Sequence, residues 1–298
     1  MPAASQTERQ PSRPVILLRR TLSSVLLWSV VLVAIFAENR LLSDYFFLFI
    51  MLLLAGAGLA EFYDLVSRRG LVCFKGWGIF GGLLLMVSTF AYLSPRVAPA
   101  KANDFETSFL ILFVLGLCLR QFVSRSNPAG LLAISTTLFG LMYVPWLLNF
   151  IQKINFFPNI NGRYYVLYFI LVTKFSDMGA YLIGSLFGRH KMIPRISPGK
   201  TWEGFGGALL FSMLASVLFA HFAARELSGM TWGHAVVLGL VLGAAAVLGD
   251  LIESLFKREA AVKDSGRLFP GIGGILDLMD SLLFNAPLMY LYLRHVLS

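Results

Sequence analysis

Apolar residues fall in long runs separated by short polar and basic stretches. A helix needs about 20 apolar residues to cross a bilayer, within a range of about 17–25. Nine segments meet that length: Thr21–Ala37, Tyr45–Leu65, Trp77–Leu93, Phe105–Phe122, Gly130–Phe150, Tyr164–Phe187, Phe205–Ala223, Trp232–Leu248 and Ile272–Leu293. The pattern predicts an all-α, polytopic integral membrane protein with about nine transmembrane helices. Residues 1–20 read as a polar tail. Residues 21–163 read as packed, lipid-facing scaffold helices whose ionisable groups stay near span ends. In residues 164–298 polar groups enter the spans themselves. Arg19 and Arg20 precede the first span, which is longer than a signal-peptide core and lacks a following A-x-A, so it reads as an uncleaved anchor.

Composition sharpens this picture. Of 298 residues, 57% are hydrophobic and 14% charged, and mean hydropathy is +0.73. Soluble domains are about 45–50% apolar and about 25% charged, so a soluble globular protein, a disordered chain and a disulfide scaffold are all excluded. Cys73 and Cys118 read as small apolar packers. The net charge of +9 would suggest nucleic acid in a soluble protein. Here the cations sit in loops between apolar runs and suit anionic headgroups, so the expected partner is the bilayer, with no nucleic acid. The nine-span arrangement places 17 Lys and Arg on one side and 7 on the other, with Lys174 inside a span. The positive-inside tendency then predicts a cytoplasmic N-terminus and an outside C-terminus.

Three polar clusters carry candidate chemistry. Lys174, Asp177 and Tyr181 share one helix face in the sixth span. A charge there costs about 2.5–3.5 kcal/mol on insertion scales, so it faces a partner or a wet cavity; an ion pair tying helices together fits the spacing too. Ser197-Pro198-Gly199-Lys200-Thr201-Trp202-Glu203-Gly204 leads into a helix. Hydroxyls, backbone N–H groups and a lysine at a helix N-terminus suit a phosphate, although an ordinary capped loop reads the same way. The third cluster begins at Gly249-Asp250, with Asp250, Glu253, Ser254 and Lys257 on one stripe. It continues through Lys263-Asp264-Ser265-Gly266-Arg267 to a helix bearing Asp277 and Asp280 one turn apart.

Paired carboxylates in a shared cavity repel one another. Mg²⁺ removes that penalty and is commonly held by one or two carboxylates plus substrate phosphates. Asp250, Asp277 and Asp280 are therefore the candidate metal ligands for one or two ions. Lys257, Arg258, Lys263 and Arg267 are candidate phosphate partners. A polar helix-packing patch is the alternative.

The run Ser254-Leu255-Phe256-Lys257-Arg258, then Lys263-Asp264-Ser265-Gly266, then Pro270-Gly271-Ile272-Gly273-Gly274-Ile275-Leu276-Asp277-Leu278-Met279-Asp280 closely resembles the signature of phosphatidate cytidylyltransferases, the CDP-diacylglycerol synthases. Asp177-x-x-Ala180-Tyr181-x-x-Gly184-x-x-Phe187-Gly188 and the Ser197–Gly204 segment look like other segments of that family. The resemblance covers roughly residues 164–298. It implies a polytopic helical enzyme, often a homodimer, that uses Mg²⁺ at two metal sites to join CTP and phosphatidate into CDP-diacylglycerol and pyrophosphate. Asp250, Asp277 and Asp280 match the family's metal carboxylates. Ile272 stands where the family commonly has His, Leu278 where it has Arg, and Gly199 where Lys is frequent.

The combined expectation is a nucleotidyltransferase with its site at the cytoplasmic membrane face. Lys200, Lys257, Arg258 and Lys263 would neutralise phosphates. Ser197, Thr201 and Ser254 would donate hydrogen bonds, with Asp177 and Arg267 also contacting substrate. Asp264 would lie either on the metal or one bond behind it. The attacking phosphate is already anionic, so Ile272 is compatible with activity. The alternatives are a CTP-dependent lipid kinase, a cytidylyltransferase for another lipid phosphate, an ion-coupled transporter and a non-catalytic paralogue. Sharply different polarity in the two halves argues against the transporter, whose fold would often repeat.

Overall fold

The computed structural model describes residues 38–93, 102–124, 129–266 and 273–297, with isolated positions 29, 32 and 33. Apart from those three positions the first expected span, Thr21–Ala37, lies outside the described residues, as do Arg267 and Ile272. The helices are α1 (Arg40–Arg68), α2 (Lys75–Leu93), α3 (Ala102–Val123), α4 (Gly130–Leu141), α5 (Leu147–Asn155), α6 (Gly162–Phe187), α7 (Trp202–Phe222), α8 (Trp232–Glu259) and α9 (Ile275–Tyr292). Among the described residues seven spans are long and apolar enough to cross a membrane; α4 and α5 form one of them, Gly130–Asn155. They join through a π-helical segment, Met142–Trp146, that contains Pro145. Proline has no N–H for the regular ladder, and a widened turn accommodates it. The α9 helix fills the last expected span but is less apolar, carrying Asp277, Asp280 and Asn285.

The chain is thus all-α in its bulk, with one departure. Lys191–Ile193 (β1) and Ser197–Thr201 (β2) pair antiparallel where the sequence suggested a loop. The β2 strand ends at Thr201, whose extended backbone starts α7 and whose Oγ1 accepts from Gly204 N at 3.1 Å.

Close packing rests on small residues, as expected where lipid supplies no hydrophobic drive between helices. Helices α6 and α7 form the most extensive pair. A Cβ on Gly179 would lie 2.5 Å from the Gly207 carbonyl oxygen, and one on Gly207 would lie 2.6 Å from that of Gly179. Outward faces are apolar, as on α3 with Leu112, Leu115, Leu119 and Phe122. The main core joins α1, α5, α6, α8 and α9, including Leu59, Tyr63, Leu148, Phe169, Leu242 and Met279.

The N-terminal half is more polar inside than the span-end pattern suggested. Lys153 Nζ donates to Glu106 Oε2 at 2.5 Å, both side chains buried. Asn149 Nδ2 donates to Thr89 Oγ1 and Glu106 Oε1, each at 2.8 Å. Gln152 Nε2 donates to Asn149 Oδ1 at 2.9 Å. This network ties α2, α3 and α5 with the kind of contacts that buried polar groups need, leaving Gln152 Oε1 without a hydrogen-bond partner among the described residues.

Candidate functional site

Four separate stretches converge on one cavity of ≈ 640 Å³. The α6 helix contributes Lys174, Asp177 and Tyr181; β2 contributes Ser197, Lys200 and Thr201. The α8 helix contributes Asp250 and Lys257, and the 260s loop with α9 contributes Asp264, Asp277, Asp280 and Ser281. Helical spacing explains the convergence: Lys174, Asp177 and Tyr181 share a face, as do Asp250, Glu253 and Lys257.

Each ammonium group is held by carboxylates. Lys200 Nζ lies 2.9 Å from Asp250 Oδ2 and donates to the Val247 carbonyl at 3.1 Å. Lys174 Nζ lies 3.3 Å from Asp177 Oδ2. Lys257 Nζ donates to Asp277 Oδ1 at 2.6 Å and pairs with Glu253. Ser254 Oγ donates to Asp250 Oδ1 at 3.3 Å, and Ser281 Oγ to Asp177 Oδ1 at 3.4 Å.

The carboxylates are not arranged as the sequence suggested. Ligand oxygens of Asp250, Glu253 and Asp280 lie within 4.8 Å of one another, and among the described residues this is the one group of three or more His, Cys, Asp or Glu side chains so placed. Asp277 stands outside it although it is one turn from Asp280. Its Oδ1 takes the Lys257 ammonium. Its Oδ2 accepts from Gly274 N at 2.8 Å, Ser265 Oγ at 2.9 Å and Ser265 N at 3.0 Å. Those partners turn the Asp277 side chain toward the loop.

The donor set fits a hard cation. Glu253 is fully buried. Its Oε2 meets Lys257 as an ion pair without hydrogen-bond geometry, and its Oε1 has no hydrogen-bond partner among the described residues. Among the described residues the cavity is lined by the acids Asp177, Asp250, Asp264, Asp277 and Asp280, with Glu253 buried behind Lys257, and by three cations, Lys174, Lys200 and Lys257. Oxygen-only donors with excess negative charge suit Mg²⁺-type or Ca²⁺-type ions rather than soft metals.

Several expected residues stand elsewhere. Arg258 Nε donates to the Ile196 carbonyl at 3.1 Å, tying α8 to the hairpin turn outside the cavity. Lys263 lines a neighbouring cavity with Glu61, Asp64 and Arg68, while Asp264 lines both cavities. Thr201 lines the site, but its Oγ1 caps α7. Glu253 lies on the polar stripe of the sequence, and no role follows for it from the sequence alone. The i, i+3 spacing from Asp250 was the available signal. Glu61, whose carboxylate reaches the start of α9, gives no signal beyond being an acid, with Asp64, near the end of an apolar run.

The match to known proteins extends beyond this carboxylate site. The model of the cytidylyltransferase family matches residues 18–296. The phosphatidate cytidylyltransferase of Staphylococcus saprophyticus is 33% identical over 221 residues, covering 72% of this chain and 80% of that protein. That of Mycobacterium leprae is 40% identical over 173 residues, 56% of this chain and 54% of that one. That of Haemophilus influenzae is 42% identical over 128 residues, 43% and 44% of the two chains. With a match that takes in the scaffold helices as well as the acidic cavity, this chain belongs to the cytidylyltransferase family.

Proposed function

We propose that this protein joins CTP to phosphatidate, giving CDP-diacylglycerol and pyrophosphate, in the cavity that Asp250, Asp280, Lys200 and Lys257 line and that Glu253 backs. The observation that carries this reading is that cavity: an acidic, lysine-bearing pocket set among membrane-spanning helices in a member of this family. Both substrates are polyanions, and one is a lipid. The helices give the lipid tails an apolar surround while the phosphates meet the polar end.

A phosphatidate phosphate oxygen attacks the α-phosphorus of CTP. The bond from that phosphorus to the bridging oxygen breaks, and pyrophosphate leaves with the electron pair. The attacking oxygen is already ionised, so no general base is needed. Such chemistry depends on positioning and charge stabilisation more than on covalent catalysis. Asp250, Glu253 and Asp280 would hold Mg²⁺, which when bound supplies positive charge to the reacting phosphate oxygens. Lys200 and Lys257 exchange a carboxylate partner for a phosphate oxygen, so both are held in place before substrate arrives. Lys174 keeps Asp177 at the cavity wall. Asp277 holds Lys257 rather than a metal.

The expected result with purified protein in detergent, phosphatidate, labelled CTP and Mg²⁺ is a labelled lipid and one pyrophosphate per turnover. Release of CDP instead would establish a lipid kinase, and absence of any turnover would overturn the assignment.

The same reading places the cavity at the cytoplasmic face, where CTP is found, with a cytoplasmic N-terminus. Reporter fusions after Ser124, Lys191 and Lys263 are expected to report cytoplasm. An external signal after Lys263 would put the nucleotide on the wrong side of the membrane and defeat the mechanism.

A further inference from the structure

Helix α1 carries a buried carboxylate that reaches into the signature segment from the opposite end of the sequence. Glu61 Oε1 accepts from Ile275 N at 3.0 Å, and Oε2 accepts from Leu276 N at 2.9 Å. These amides open α9, where a helix leaves N–H groups without intrahelical partners and favours negative charge. Caps usually come from the adjoining sequence; this one comes from 214 residues away.

The contact continues into the cavity. Ser265 Oγ lies 3.0 Å from Glu61 Oε2 and 2.9 Å from Asp277 Oδ2. Asp277 Oδ1 then takes Lys257 at 2.6 Å, and Lys257 pairs with Glu253 of the carboxylate group. The link lines the neighbouring cavity on one side and is tightly enclosed on the side of two glycines. A Cβ on Gly266 would collide with Glu61 Oε1, and one on Gly274 with Glu61 Oε2 and Ser265 Oγ. Gly273, at φ +115°, takes the backbone through a conformation that other residues rarely adopt, just before α9.

We propose that Glu61 is a positioning residue for nucleotide transfer: from the N-terminal half it fixes the start of α9 and Ser265, and through them the placement of Asp277 and Lys257. The catalytic part of this role rests on the cytidylyl-transfer reading above. The requirement is geometric as well as electrostatic. Two backbone N–H groups point at one side chain, and a carboxylate offers an acceptor to each. Glutamine offers an oxygen to one and sets its own NH₂ against the other. Aspartate keeps both acceptors but is one methylene short. The Ser265 hydroxyl has one hydrogen for two carboxylate oxygens, so it serves Glu61 or Asp277 at any moment, while the backbone donors hold both acids.

The test compares wild type, Glu61→Gln, Glu61→Asp, Ser265→Ala and the Glu61→Gln/Ser265→Ala double variant in detergent. It measures kcat, KM for CTP and phosphatidate, and amide hydrogen exchange. Glu61→Gln is expected to lower kcat about 10–100-fold, the range for residues that orient a site from behind, and to raise KM for CTP. Exchange should quicken at Ile275 and Leu276 and stay unchanged in α3 and α5. Glu61→Asp should recover part of kcat. Ser265→Ala should move the same quantities less, and the double variant should be no worse than Glu61→Gln.

A merely structural role would lower kcat only in proportion to folded protein, leaving both KM values and local exchange as in wild type; that result would overturn the proposal. If Glu61→Gln does not fold, Ser265→Ala decides: wild-type kcat and KM there would overturn it. Absence of transfer by the wild-type protein would instead defeat the cytidylyl-transfer reading. Normal transfer in every variant would defeat the role of Glu61 alone.

Discussion

Asp280→Asn is expected to cut nucleotide transfer by at least about 10²–10³-fold, the scale on which a preorganised electrostatic group contributes, while the protein stays folded in detergent. Asn keeps the size of the side chain and removes the charge that a divalent cation needs. Asp280 is buried against Asp250 and Glu253, so without metal the substitution relieves repulsion and thermal stability should hold or rise. The distinguishing measurement is the shift in Tm on adding Mg²⁺. A ligand that binds only the folded state raises stability with its concentration. Wild type should shift upward and Asp280→Asn should not. Asp277→Asn should also lose activity but keep the shift, because its carboxylate contacts Lys257 and the loop instead of the three-acid group. A near-normal rate in Asp280→Asn at saturating Mg²⁺ would remove Asp280 from the metal site. Loss of the shift in Asp277→Asn would restore Asp277 to it.

Lys257→Met is expected to be the most destabilising change in the cavity and to abolish activity. The ammonium joins Glu253 to Asp277, and side-chain exposure is 12% for the lysine, 0% for Glu253 and 11% for Asp277. Removing one partner of a buried pair costs about 3–5 kcal/mol, because the remaining charge is left uncompensated. Here two carboxylates lose their common counter-charge. Thermal unfolding in divalent-free detergent should therefore show a large fall in Tm. Adding Glu253→Gln should recover part of it without restoring turnover. Mg²⁺ should also recover part, since it supplies positive charge beside Glu253. A Tm equal to that of wild type would show that Lys257 is not what holds the two acids.

The same residues separate what was legible in the sequence from what was not. Helices showed clearly because a bilayer leaves a chain few options: backbone groups must be satisfied within the segment, so every span is a long apolar run. Eight of the nine expected spans are helical where described, with ends shifted by several residues where polar caps and charged turns extend them. The chemistry of residues 249–280 showed through for a related reason. Acids and lysines are costly among apolar helices, so their presence marks a site. Asp250, Asp280, Lys200 and Lys257 do share a cavity. The β1–β2 hairpin has no clear sequence signal, because Lys191–Thr201 contains prolines and a glycine and lacks an alternating pattern.

The sequence by itself determined the all-α membrane architecture and the segments that bear the site, since both follow from the local cost of polar groups in lipid. Only the tertiary structure decided which carboxylates act together. One turn of helix places Asp277 and Asp280 near each other, but side-chain partners set where each points. Lys257, 20 residues upstream, and the Ser265 loop turn Asp277 away from the Asp250–Asp280 carboxylate group, while Glu253 enters it from α8. The part played by Glu61 was likewise a matter of packing. Glu61, near the end of the α1 apolar run with Asp64 three residues on, carries no pattern that points to α9, and it acquires its contacts when α1 comes to lie against the open N–H groups of α9. Periodicity reports which face of a helix a residue occupies; which neighbour satisfies it depends on helices that meet across hundreds of residues.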